Sequence, residues 1–124
     1  MNIKLGTVTP ILRIFDIVKA RSFYLDYLGF RVSFEHRFDP GAPLYLGIVR
    51  DICELHLSEH HGDATPGSAN RIAITGIEDF HGELHSKRYP YMRPRIETPP
   101  WGTKEVSVID PFGNRLTFFE PKPE

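Results

Sequence analysis

Apolar positions along the chain follow two rhythms. Residues 7–15 are β-rich, and Pro10 interrupts the run, which predicts an edge strand or one that changes partner. From Asp16 the spacing becomes helical: Ile17, Ala20, Phe23, Tyr24 and Leu28 recur on one face. Gly29 stands where a helix C-terminal glycine belongs, so a helix is predicted from Asp16 to about Leu28. Strand-like runs follow at 30–38, 44–49 and 52–60, the first closed by an Asp39-Pro40-Gly41 turn. In the last of them Leu55 and Leu57 take one face; Glu54, His56, Ser58 and His60 take the other.

Residues 61–69 form a small, polar connector, after which the order restarts. A strand is predicted at 71–77 and a helix at 79–87, with Phe80 and Leu84 at helical spacing. Strands are then predicted at 92–97, 105–109 and 115–120. Pro99-Pro100 and Asp110-Pro111-Phe112-Gly113-Asn114 separate them, and 121–124 reads as a tail. A shift of about 62 residues lays Leu12 on Ile74 and Leu57-Ser58 on Phe119-Glu120. The prediction is one α+β domain over 1–124 built from two βαβββ modules, about 5–62 and about 69–121, related in pattern rather than identity.

Composition narrows the function classes. Fifteen Lys and Arg balance sixteen Asp and Glu, for a net charge of −1, which argues against a strongly basic nucleic-acid binder. Hydrophobic residues are 40% of the chain, enough for a packed core. No window approaches the ~20 apolar residues of a membrane span, so a soluble, cytoplasmic chain is expected. The single Cys53 excludes an intramolecular disulfide and a thiolate-rich zinc site. No phosphate-binding glycine loop or nucleophile elbow is present. His81 and His85 are four apart on the second predicted helix, but the intervening glutamate sits one position late for a zinc-protease pattern. The basic stretch 87–95 reads as a solvated turn.

Phe15-Asp16, Ser22-Phe23-Tyr24 and Tyr27-Leu28-Gly29-Phe30 form one signature. Trp101-Gly102-Thr103-Lys104-Glu105, Asp110-Pro111-Phe112-Gly113-Asn114 and Phe118-Phe119-Glu120 form another. With both, the chain resembles the glyoxalase/bleomycin-resistance (vicinal oxygen chelate) superfamily over nearly its whole length. Within it the chain is most similar to bleomycin resistance proteins, partly through Glu54-Leu55-His56-Leu57. The resemblance implies curled, cup-like mixed sheets and a homodimer with an N-terminal strand exchanged around a proline, for which Pro10 is the match.

In metal-dependent members, ligands come from the first and last strand of each module. Carried onto this sequence, those positions are Thr9, Ser58, Arg71 and Glu120. Only Glu120 is a divalent-metal donor, and Arg71 is permanently cationic. The expectation is that Arg71 neutralises Glu120 in place of an ion. No cofactor and no catalytic residue are expected; His56 and His60, with Asp63 nearby, are the remaining metal candidates.

The resemblance further implies that Trp101 and Phe38 stack on the aromatic part of a planar or glycopeptide-type ligand. Tyr45, His56, Ser58, Arg71, Glu105 and Glu120 would supply polar contacts, and Glu54, Asp63, Glu105 and Glu120 would form acidic walls for a cationic ligand. Sequestration of a bleomycin-like antibiotic is the expected function. A metal-dependent lyase, transferase or dioxygenase with its metal displaced to the histidines is the alternative, as is a binder of another metabolite.

Overall fold

A computed structural model describes residues 2–122. Among them, seven strands and two helical segments form two mixed sheets with one shared core. The predicted tail at 121–124 begins inside the last strand and then runs outside the described residues.

The first strand, β1 (Ile11–Arg13), is shorter than the run 7–15 predicts. Pro10 has no amide to donate; its carbonyl instead accepts from His56 N at 2.9 Å and opens the pairing. Residues 2–9 form no strand, and Ile3, Leu5 and Val8 are exposed. Asp16 caps α1 (Ile17–Arg21), accepting from Lys19 N at 3.0 Å. Over Ser22–Tyr27 the helix widens to a π-helix, which turns Phe23, Tyr24 and Tyr27 all inward. Gly29, at φ +77°, ends it.

β2 (Arg31–His36), β3 (Tyr45–Arg50) and β4 (Cys53–Ser58) complete the first sheet in the order β1-β4-β3-β2. β1 pairs parallel to β4 and the other pairs are antiparallel. The second sheet repeats the plan. β5 (Ala69–Ala73) lies parallel to β7 (Arg115–Pro121), and β6 (Thr103–Ile109) lies antiparallel on its far side. Between them runs α2 (Ile77–Ser86).

The second module has three strands where four were predicted. Residues 92–97 contribute only a bridge between Glu97 and Glu105. Pro90, Pro94, Pro99 and Pro100 leave too few amides for a ladder there. β5 also begins and ends earlier than expected, and α2 starts at Ile77.

Each sheet turns one face inward. Leu12, Leu46, Ile48, Leu55 and Leu57 from the first sheet pack with Val106, Val108, Leu116 and Phe118 from the second, against Phe23, Tyr24, Phe80 and Leu84 of the helices. The Asp110–Asn114 turn locks the two sheets together. Asp110, buried, accepts from the amides of Phe112 and Asn114 and from the Tyr24 hydroxyl at 2.6 Å. Asn114, fully buried, donates to the Arg13 carbonyl at 2.9 Å and accepts from the Ser68 hydroxyl at 2.9 Å. The opposite face of each sheet is not covered by that core, and these two faces carry the candidate site.

Candidate functional site

On the first sheet, alternation puts Tyr45, Gly47, Glu54, His56 and Ser58 on the uncovered face. A bulge between Val32 and Phe34 shifts the register of β2, so Phe34 stands opposite Gly47. Its ring occupies the space that a side chain would fill: a Cβ on Gly47 would lie 2.1 Å from Phe34 Cε1. Phe34 then stacks near-parallel with Tyr45 and meets His56 edge-on, at centroid distances of 6.1 and 5.2 Å. Sequence reasoning missed Phe34. The signal for it was Gly47, a glycine inside a strand, which marks a close approach.

His56 is held at both nitrogens. Nδ1 lies 2.7 Å from the Tyr45 hydroxyl and Nε2 lies 3.1 Å from Glu54 Oε2. Burial, with Asp63 and Glu54 adding to it, raises Tyr45 above the ordinary phenol value. Ser58 is fully buried and donates to Asp63 Oδ2 at 2.6 Å, so its hydroxyl fastens the loop after β4. Phe38 is 74% exposed and lies edge-on to both His36 and His60, at 4.6 and 5.7 Å between centroids.

The second sheet carries a separate cluster around Glu105, a buried carboxylate. It accepts from Arg71 Nη2 at 2.9 Å and Nη1 at 3.3 Å, from Trp101 Nε1 at 3.0 Å and from Thr103 Oγ1 at 2.6 Å. These donors, Arg71 first, pull its pKa down to about 2. The Arg71 guanidinium lies over the Phe119 ring at 4.6 Å. Trp101 is 68% exposed, yet its ring nitrogen is tied to Glu105, so an indole face is presented at a fixed angle.

The expected Arg71–Glu120 pair is not formed; Arg71 pairs with Glu105. On β7, Thr117 and Phe119 share a face, whereas Glu120 is on the other. There it accepts from the amides of Gly76 and Ile77 at 3.2 and 3.0 Å and caps α2. The strand position beside Arg71 is Thr117, hydrogen-bonded to Ser107 at 2.9 Å.

The donor set does not fit a catalytic metal. Among the described residues no three His, Cys, Asp or Glu side chains converge for an ion. Both His56 nitrogens are engaged; His60 Nε2 is buried without a partner, but no second and third donor converge on it among the described residues. A cavity of about 480 Å³ lies elsewhere, beside Arg50, Cys53, Phe80 and Glu83, and none of the predicted ligand residues lines it. Cys53 is half-buried there, and burial pushes its thiol up, away from the reactive thiolate.

Of the eight predicted residues, Tyr45, His56 and Ser58 lie on the first sheet and Arg71 and Glu105 on the second, with Trp101 tied to Glu105 from the turn before β6. Phe38 lies in the bend after β2, against His36 and His60. Glu120, at the start of α2, lies apart from both groups. A family model described as glyoxalase superfamily protein matches residues 1–124. Among curated proteins, the bleomycin resistance protein of Staphylococcus aureus is 26% identical over 129 residues, covering 90% of this chain and 93% of its own. Among solved structures, the bleomycin-binding protein of bleomycin-producing Streptomyces verticillus, complexed with copper(II)-bleomycin, is 27% identical. Its TM-score is 0.71, with 99% of this chain and 100% of that chain covered. A bleomycin resistance determinant encoded on the transposon Tn5 shares the fold at a TM-score of 0.74 and 20% identity, covering 96% of this chain and 100% of its own.

Proposed function

The chain belongs to the glyoxalase superfamily, and from that premise we propose that it binds a bleomycin-like glycopeptide and acts by sequestration. The observation that carries the reading is Trp101: its indole is exposed yet fixed through its nitrogen, the arrangement of a stacking platform rather than a core lid. Likeness to bleomycin resistance proteins over most of the chain supports the ligand class. In this reading Trp101 and Phe38 stack on the planar part of the ligand. Tyr45, His56 and the Arg71–Glu105 pair meet its polar groups. Binding makes and breaks no bond.

The proposed assembly is a homodimer. Each sheet has an uncovered face with half of the aromatic set, and the exposed arm of residues 2–9 offers Ile3, Leu5 and Val8 to a second copy. Titration of metal-free bleomycin against tryptophan fluorescence tests the function, because Trp101 is the chain's only tryptophan. A saturable change at micromolar ligand is expected. No change in fluorescence, together with no heat of binding, rejects the drug reading.

A further inference from the structure

The polar end of the first cluster has a direction. Glu54, as a carboxylate, only accepts, so its 3.1 Å contact places the proton of neutral His56 on Nε2. Nδ1 then holds a lone pair, and Tyr45 donates its O–H to it at 2.7 Å. The Tyr45 oxygen has no proton left to offer; toward the open face it can only accept. When His56 gains a second proton, Nδ1 becomes a donor. Tyr45 must then accept from it and turn its own O–H outward. One protonation thus reverses the polarity of the group that meets the ligand and adds a positive charge beside it.

Glu54 and Asp63 are the carboxylates near Tyr45, with Asp63 held in place by Ser58. His36 and His60 flank Phe38 at the rim. Arg13, opposite Ser58 on β1, lays its guanidinium on the Phe15 ring at 4.6 Å. Phe34 shields the chain from one side.

We infer that Glu54, His56 and Tyr45 form a proton-switched anchor for a cationic or N–H-bearing group of the ligand, holding it while His56 is neutral and releasing it when His56 is charged. The inference rests on the ligand-binding reading and names which part of the ligand this sheet takes.

The test uses two probes, metal-free bleomycin and methylguanidinium. Bleomycin affinity is measured at pH 8 and pH 5.5 for the wild type, His56→Gln and Tyr45→Phe. The ligand's own titration enters all three equally. The wild type is expected to lose about three- to tenfold more affinity on acidification than His56→Gln. Tyr45→Phe is expected to bind weakly at both values. In nitrogen-15 NMR of the free protein at pH 8, His56 is expected as the Nε2–H tautomer. Methylguanidinium should move its signals in the wild type and not in Tyr45→Phe. Equal pH slopes in wild type and His56→Gln, or the Nδ1–H tautomer, overturn the inference. If bleomycin does not bind at all, the drug reading fails and methylguanidinium decides this one: unmoved His56 signals reject it, and moved signals sustain it.

Discussion

Arg71 and Glu105 join hands across a strand that belongs to neither. Arg71 stands on β5 and Glu105 on β6, and β7 runs between them. The guanidinium crosses the Phe119 ring to reach the carboxylate, which also holds the Trp101 nitrogen. One buried charge therefore sets the position of both the cation and the exposed indole. The first prediction follows from its depressed pKa. In the unfolded chain this carboxyl titrates near 4.5 and in the folded chain near 2. Its stabilising contribution is complete above pH ~4.5 and is lost as pH falls toward ~2. Glu105→Gln is expected to flatten the fall of Tm across that window, measured by calorimetry at several pH values.

Trp101→Ala is expected to cost less than about 1 kcal/mol of stability, since the ring is mostly in solvent. It should weaken bleomycin binding about three- to tenfold, the scale of one aromatic stack. Isothermal calorimetry reads this without the lost fluorophore.

Glu120→Gln separates the observed placement from the one expected from sequence. The carboxylate caps α2, so its neutralisation should cost about 0.5–1 kcal/mol in chemical denaturation. Ligand affinity should not change.

Asp110→Ala removes the acceptor for the Tyr24 hydroxyl, the Asn114 amide group and two backbone amides, all buried except that of Phe112. A loss of about 3–5 kcal/mol is expected. Tyr24→Phe removes one of these bonds and should cost about 1–2 kcal/mol, both variants being read by urea denaturation.

Deletion of residues 2–9 removes Ile3, Leu5 and Val8, which touch nothing of the core. Sedimentation should show the full chain as a dimer and the shortened chain shifted toward monomer.

Much of the fold was legible because local rules agreed with it. The helical spacing from Ile17, the alternation through Glu54–Ser58 and the Asp110–Asn114 turn all emerge where expected. What failed did so for geometric reasons. The stretch 92–97 has strand-like residues but too many nearby prolines. Whether Glu120 or its neighbour faces Arg71 depends on a single step of register, which reverses a strand's two faces and leaves no trace in composition. Phe34 needed a bulge in its own strand and a missing side chain on the next. Glu105 was among the candidates, but nothing in the spacing of Trp101, Thr103 and Arg71 shows that one carboxylate collects all three.

The bond from Asn114 to the Arg13 carbonyl spans 101 positions of sequence. A chain emerging from the ribosome makes Arg13 early and Asn114 late. The opening strand can pair with β4 earlier, but the Arg13 carbonyl gains this partner only once Asn114 is made. Contacts of such range slow folding. They also make the two halves a single cooperative unit, so that neither module, made alone, would inherit the stability of the whole.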